Sequence, residues 1–380
     1  MFYLEVITNS MNCFAEHFDH LDDVRRDQGK LHQLADILTI TLCAVLAGAE
    51  GWDDIATFAQ VKADWLRARL DLKHGPPSSD TIRRVVATIK AEAFAKGFVR
   101  WVESVARKVD GEVIAIDGKT LRRSYDKDDP KAALHIVSAW ACQQHLILAQ
   151  EKVKTKSNEI TAIPALLEVL DVAGCIITID AMGTQVEIAG QIIDQEADYV
   201  LALKANQGNL HAQVKEYFVD GAKEAYRKMP VSYAETTDIG HGRKEIRRAW
   251  VSSDVEWLAA SSRWSGLKSI VLIEHERYTN EKVSVEQRYY ISSLDAQADK
   301  LLRIVRSHWG IENKVHWVLD VVFQEDQSRI RREDGGQNMA VLRHLALNLL
   351  RQDQTKRLSL RMKRKRAGWD EGFLAQLIGF

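Results

Sequence analysis

The sequence predicts an α/β fold: a mixed sheet with helices, preceded by a helical N-terminal domain and interrupted by a β-rich insertion. Three observations carry this. Residues 113–203 alternate short β-rich runs and helical stretches in the order β-β-β-α-β-α-β, residues 1–110 carry helical patterning, and residues 248–292 hold strand-like runs with few helix signals. The 380 residues suffice for two or three domains at about 100–200 each. With 46% hydrophobic residues, Gly at 21 and Pro at only 5, collagen-like and proline-rich disordered chains are excluded. A formal net charge of −1 argues against a uniformly basic nucleic-acid coat protein and leaves local basic patches open.

In chain order, Leu31 to Ala49 is almost continuously apolar. Its core, Leu34 to Ala49, is shorter than a membrane span and is interrupted by Asp36, threonines and a cysteine, so it reads as a buried helix. Asp53 or Asp54 is placed to cap a helix through Leu70. After the break at Lys73-His74-Gly75-Pro76-Pro77, Ser78, Ser79 and Asp80 offer caps for a helix from Thr81 to Lys90 carrying Arg83 and Arg84. Two helices around such a turn fit a helix-turn-helix DNA reader, although an ordinary helical hairpin is the commoner meaning.

Val113–Ile116 is the first β-run and ends at Asp117; Leu134–Trp140 and Leu146–Gln150 follow. Ser157 caps a helix with Glu159 in its first turn. Cys175–Ile179 is a fourth strand ending at Asp180, then a helix spans Gln185 to Gln195, and Tyr199–Leu203 is the fifth strand. Strand-like runs at 248–252, 268–276 and 282–292 form the insertion, and Asp295 to Phe323 returns to helix. A helix from Gln337 to Leu350 precedes Arg351–Arg366, a stretch with eight Lys/Arg against one Asp. The domains expected are 1–110 (helical, DNA-binding), 111–225 and 295–350 (the two parts of the core), 226–294 (the insertion) and 351–380 (a basic tail). The scattered Cys13, Cys43, Cys142 and Cys175 fit a reducing compartment, and Met1–Glu5 lacks the positive leader of a signal peptide. A cytoplasmic protein without a membrane partner is expected.

Several nucleotide and hydrolase motifs fail. Gly118-Lys119-Thr120 resembles the end of a phosphate-binding loop, but Val113 stands where the loop needs its first glycine. His275-Glu276 lacks the second histidine of the zinc-protease motif, and no GxSxG elbow occurs. The carboxylates say more. Alone, Asp117 with Gly118 reads as a hairpin turn and Asp180 as a helix cap. Together they change meaning, because after three antiparallel strands a helical crossover lets the fourth strand lie parallel beside the first. Asp117 and Asp180 would then be neighbours at the sheet edge where open α/β sheets place their sites. Two close carboxylates ionise together only with a cation between them, and all-oxygen ligation is the Mg²⁺ pattern. Glu312 in His308-Trp309-Gly310-Ile311-Glu312-Asn313 is the candidate third carboxylate, with Asp320, Glu325 and Asp326 as rivals.

Basic groups flank these positions: Lys119, Arg122 and Arg123 after the first Asp, Lys204 with Asn206 and Gln207 after the fifth strand, and Arg329, Arg331 and Arg332 after the Glu312 helix. Each is more often a solvated face. Several clusters around one acidic site suit a phosphate backbone. Lys119, Arg122, Lys204, Asn206, Gln207, His308, Arg329, Arg331, Arg83 and Arg84 are the candidate DNA contacts.

The stretches Ile114–Arg122, Lys156–Ile160, Thr178–Met182, Tyr199–Gln207, His308–Asn313 and His316–Val321, in this order, carry a likeness. The chain resembles bacterial insertion-sequence transposases of the DDE type, and most closely the ISAs-type group that includes the H-repeat-associated proteins. The likeness covers nearly the whole chain. It implies a ribonuclease-H-like catalytic core with a mixed five-stranded sheet, a helical DNA-binding region before it and a β-rich insertion between Asp180 and Glu312. Asp117, Asp180 and Glu312 would be the DDE triad, catalytic and metal-binding, with Mg²⁺ as cofactor and Mn²⁺ as a substitute. The partners implied are double-stranded DNA, as terminal inverted repeats and target, and a second copy of the chain on that DNA. Where the wider superfamily has Tyr, Arg and Lys around the last carboxylate, Val305, His308 and Leu319 stand here, which departs from the pattern linked to a DNA-hairpin intermediate. A host nuclease with the same core and a catalytically inactive DNA-binding descendant are the alternatives.

Overall fold

The computed structural model describes residues 14–125, 133–153, 159–240, 242–258, 261–279, 282–355 and 357–380. Its centre is one nine-stranded sheet in the order β3-β2-β1-β4-β5-β9-β8-β7-β6. The strands are β1 (Val113–Thr120), β2 (His135–Ala141), β3 (Leu146–Val153), β4 (Ile176–Ile179), β5 (Asp198–Leu203), β6 (Val231–Gly240), β7 (Arg243–Ser252), β8 (Ser269–Thr279) and β9 (Lys282–Ser292). β1, β4 and β5 are parallel neighbours; β2 and β3 continue antiparallel on one side. The apolar runs of β1 and β4 are covered on both faces, as buried parallel strands require.

The sheet differs from the expected five strands. β9 pairs antiparallel with β5, so the four strands β6–β9 prolong the same sheet. The free edge of β5 offers a row of unpaired backbone groups, and β9 satisfies it. β6 falls within the expected β-rich insertion but is not among the strand-like runs picked out there. Gly208–Lys223 is likewise a helix without clear advance signal.

The N-terminal residues are helical as expected: Leu34–Ala47, Trp52–Val61, Ala63–Arg67, Ser79–Thr88 and Ala91–Val105. The first ends at Gly48, whose φ of +116° is a left-handed cap that a side chain would strain. The helix expected to run to Leu70 breaks at Lys62, and its N-cap is Gly51, with the Asp54 carboxylate accepting from Gly51 N–H at 3.1 Å. Ser78 caps the Arg83 helix by accepting from Thr81 N–H at 3.3 Å. The helix cap expected at Ser157 lies outside the described residues.

Helix Gly335–Gln352, buried along nearly its whole length, joins the helical region to the sheet. Asn338 donates to Val86 O at 2.8 Å and Ile89 O at 2.9 Å. Asn348 exchanges hydrogen bonds with the backbone of Ile147 in β3, both at 2.9 Å. The main hydrophobic core runs from the N-terminal helices through the sheet, with a small second cluster of Leu121, Ile136 and Ala340 beside it. The basic stretch after Gln352 is folded: Leu360–Trp369 and Glu371–Ile378 are helices packed against Leu34–Ala47. Among the described residues no single helix is long and apolar enough to cross a membrane.

Candidate active site

Parallel pairing puts the first two carboxylates side by side. Ile116 of β1 pairs with Ile179 of β4, and the residues that follow them are Asp117, still within β1, and Asp180, just past the end of β4. β1 continues through Gly118 to Thr120, with Asp117 opposite Ser138 of β2, so the Asp-Gly pair makes no hairpin turn. Its glycine serves close packing instead. A Cβ at Gly118 would stand 2.5 Å from Glu159 Oε1 and 2.6 Å from His135 Nε2. Asp180 both ends its strand and caps the following turn, its Oδ1 accepting from Met182 N–H at 3.0 Å and Gly183 N–H at 3.3 Å.

Glu312 comes from another layer. Helix Ala298–His308 buries Leu301, Leu302, Ile304 and Val305, then widens into a π-helical turn at Ile311–His316. Ile311 and Val315 are buried and Glu312 is exposed. Wide turns of this kind gather at functional sites because they re-aim a side chain without ending the helix.

The charges act on one another. Burial pushes the Asp117 carboxyl up to about 7, and Asp180, Glu312 and Glu159 push the same way against the Gly118 N–H. Asp180 is also raised, first by burial and then by Glu159, with its two N–H donors and Lys204 opposing. Among the described residues no three acidic, histidine or cysteine side chains stand ready-gathered around a metal position. The donor set still fits a hard divalent cation, since all three are oxygen ligands and the Asp180 and Glu312 charges bear on Asp117.

His316, four residues beyond Glu312, places Nδ1 at 3.5 Å from Asp117 Oδ2. Burial lowers its pKa to about 3, so the ring is neutral, and Nε2 is buried without a hydrogen-bond partner among the described residues. Behind Gly118, His135 links Thr120, at 2.7 Å from its Nδ1, to the carboxylate of the buried Glu159.

The three rival carboxylates belong to a different cluster. Lys119 Nζ lies 2.5 Å from Asp320 Oδ1 and 2.7 Å from Glu325 Oε2. Glu325 also faces Arg343 at 3.7 Å, and both are buried. Burial alone would raise the Glu325 carboxyl; Lys119 and Arg343 hold it below the usual range. Asp326 pairs with Arg122 at 3.3 Å.

The expected DNA contacts divide. Lys204 is exposed beside the site. Asn206 donates to Ala181 O, and Gln207 to Thr184 O at 2.9 Å, lashing the loop after β5 to the loop after Asp180. Arg329 is exposed, Arg122 is largely exposed, and Arg331 donates to Arg123 O at 3.0 Å. Arg83, paired with Asp80 at 2.7 Å, and the exposed Arg84 sit on the N-terminal helix. Two placements differ from the expectation. Lys119 is committed to internal carboxylates, and His308 is turned inward with Nδ1 at 2.9 Å from Thr178 Oγ1, burial lowering its pKa to about 4. Lys119 has no free head group for a phosphate, and His308 has Nδ1 engaged inside the fold. Sequence reasoning gave no role to His316, His135 or Arg343; the four-residue step from Glu312 was the available signal for His316.

Comparison with known proteins shows the family. Residues 108–349 match the family described as "Transposase DDE domain", and residues 15–102 match "DDE_Tnp_1-associated". "Putative transposase YncI" of Escherichia coli O157:H7 is 41% identical over 97% of this chain and 95% of its own length. "H repeat-associated putative transposase YhhI" of Escherichia coli K12 is 42% identical over 96% of this chain and 97% of its own. A solved piggyBac transposase synaptic complex with hairpin DNA is similar at 12% identity and a TM-score of 0.45, covering 99% of this chain and 78% of that one, too remote to decide anything. The chain belongs to the family of DDE-domain transposases.

Proposed function

We propose that this protein is an active transposase that binds the ends of its element and cuts and joins DNA strands at Asp117, Asp180 and Glu312. The observation that carries the reading is the parallel pairing of β1 with β4, which sets two acidic residues far apart in sequence side by side. Glu312 adds its charge to the same place. The contiguous order β3-β2-β1-β4-β5 supports a ribonuclease-H-like core, prolonged by β9 to β6.

Asp117, Asp180 and Glu312 would hold Mg²⁺, or Mn²⁺ in its place, which supplies an activated water and a Lewis acid for the leaving 3′ oxygen. The chain's own groups do the rest. The Met182 and Gly183 N–H groups fix the Asp180 carboxylate, and Asn206 and Gln207 hold its loop. Lys204 presents an exposed ammonium at the rim to a backbone phosphate. Arg83 and Arg84, on the N-terminal helix, suit recognition of the element's ends. Cutting two ends together calls for at least a dimer on DNA.

The test is a cleavage assay on duplex carrying the element's own ends, with Mg²⁺, run beside a separate binding measurement. Asp117→Asn, Asp180→Asn and Glu312→Gln should each lower cleavage by more than about a hundredfold while end binding persists. Undiminished cleavage by Asp180→Asn would refute the triad. Cutting of any duplex without joining would favour a nuclease, and binding without cutting by the unaltered protein an inactive descendant.

A further inference from the structure

The helix Leu360–Trp369 has a buried side and an exposed side with opposite chemistry. On the buried side Arg364 donates to Val45 O and Ala49 O, both at 3.0 Å, and to Val322 O. Lys363 donates to Leu350 O at 2.9 Å and pairs with Asp353 at 3.1 Å. These bonds wedge the helix between the first N-terminal helix and the segment just beyond the Glu312 helix. On the other side Arg361, Lys365 and Trp369 recur every fourth residue, about 6 Å apart along the axis, and all are exposed, Trp369 by 72%. Arg357 stands exposed just before the helix.

Among the described residues Arg357, Arg361 and Lys365 form no ion pair, whereas the neighbouring Arg366 is matched by Asp370 at 3.0 Å. A chain with 53 acidic residues thus keeps three like charges in a row without offsetting them. Such a row repels itself in the free protein and is relieved when a polyanion lies along it. We propose that Arg357, Arg361 and Lys365, ending at Trp369, form a surface for the backbone of duplex DNA. Its helix packs on Leu34–Ala47 and bonds to Val322, just beyond the Glu312 helix. This rests on the transposase reading and adds a contact to it.

The experiment measures binding of the full chain to an element-end duplex and to a random duplex over a range of salt concentrations. Arg357→Gln, Arg361→Gln and Lys365→Gln combined should weaken both about equally. The slope of log affinity against log salt should become shallower by about 2.7, or 0.9 for each of three lost phosphate contacts. A control with Lys223→Gln, Arg227→Gln and Lys228→Gln removes the same charge from another exposed segment and should leave the slope alone. Matching thermal unfolding curves establish that both variants fold. An unchanged slope in the first variant overturns the proposal, as does an equal change in the control, which would indicate net charge alone. Loss of binding to phosphatidylserine vesicles with the DNA slope intact overturns it in favour of a membrane surface. If the unaltered protein shows no salt-dependent duplex binding, the transposase reading itself fails.

Discussion

Two acidic clusters sit two residues apart on β1, and the protein treats them in opposite ways. Around Lys119, the carboxylates of Asp320, Glu325 and Asp326 meet Lys119, Arg122 and Arg343. Around Asp117 stand the charges of Asp180, Glu312 and Glu159, and among the described residues no lysine or arginine pairs with Asp117. Glu325 is more deeply buried than Asp117, yet its carboxyl is held below the usual range while that of Asp117 rises to about 7. Burial raises both; the charge of the neighbours decides the outcome. Acids that the chain neutralises by itself belong to the scaffold, and acids it leaves unneutralised mark where something else must supply the charge. The same contrast separates Glu312 from its rivals, because Asp320, Glu325 and Asp326 already have cations of the chain's own.

If that contrast holds, breaking the two clusters should move stability in opposite directions. The largest effect is expected from Lys119→Met. It leaves the buried Glu325 with only Arg343, at 3.7 Å, to offset it, and removing one partner of a buried pair costs about 3–5 kcal/mol. Denaturant unfolding should show this loss, together with a smaller soluble yield. A loss under about 1 kcal/mol would mean the cluster is solvated and the distinction drawn above is unsound.

Asp117→Asn should do the reverse in the presence of a chelator. The folded carboxyl titrates near 7 and the unfolded one near 3.8, so between those values the native state binds the extra proton. Stability of the unaltered protein therefore falls as pH rises from about 4 to about 7 and levels off above it. Removing the charge should stabilise the fold by up to roughly 4 kcal/mol, fully above pH 7 and hardly at all below pH 4. Melting temperatures at pH 5 and pH 8 check this. A variant less stable at pH 8 than the unaltered protein would contradict it. In the unaltered protein Mg²⁺ or Mn²⁺ should raise the melting temperature at pH 8, and in Asp117→Asn the rise should shrink.

The adjacency of Asp117 and Asp180 is legible in the sequence because it follows from strand order. Three antiparallel strands and a helical crossover leave few places for a fourth β-branched run other than beside the first. The fate of Lys119 is not legible, since a lysine two residues after a strand aspartate reads the same whether it faces a phosphate or Glu325 two hundred residues on. The C-terminal helices are hidden for a related reason. Lys363 and Arg364 are satisfied by backbone carbonyls, which leave no trace in a pattern of charges. β6 is missed because Tyr233, Glu235, Thr237 and Ile239 leave it half-exposed on a sheet edge, without a core-facing run. The π-turn at Glu312 has no local signature, since Ile311 and Val315 are spaced as in an ordinary helix.

The smallest of these effects concerns the boundary between the two clusters. Gly118 separates Asp117 from Lys119, and its backbone lies against the contact between His135 and Glu159. Gly118→Ala puts a methyl group 2.5 Å from Glu159 Oε1, so either the His135–Glu159 hydrogen bond opens or β1 shifts. Overpacking of this kind costs about 1–3 kcal/mol. The two responses are separable. An opened bond changes the His135 ring signals in an NMR spectrum and leaves the carboxylates in place, so the pH dependence of stability set by Asp117 persists. A shifted strand carries Asp117 away from Asp180, which lowers the Asp117 pKa and flattens that dependence. The flanking pairs Asp117–Ser138 and Lys119–Ile136, the adjoining Asp180 loop and the paired Lys119 all resist movement of β1, so the opened bond is the expected result.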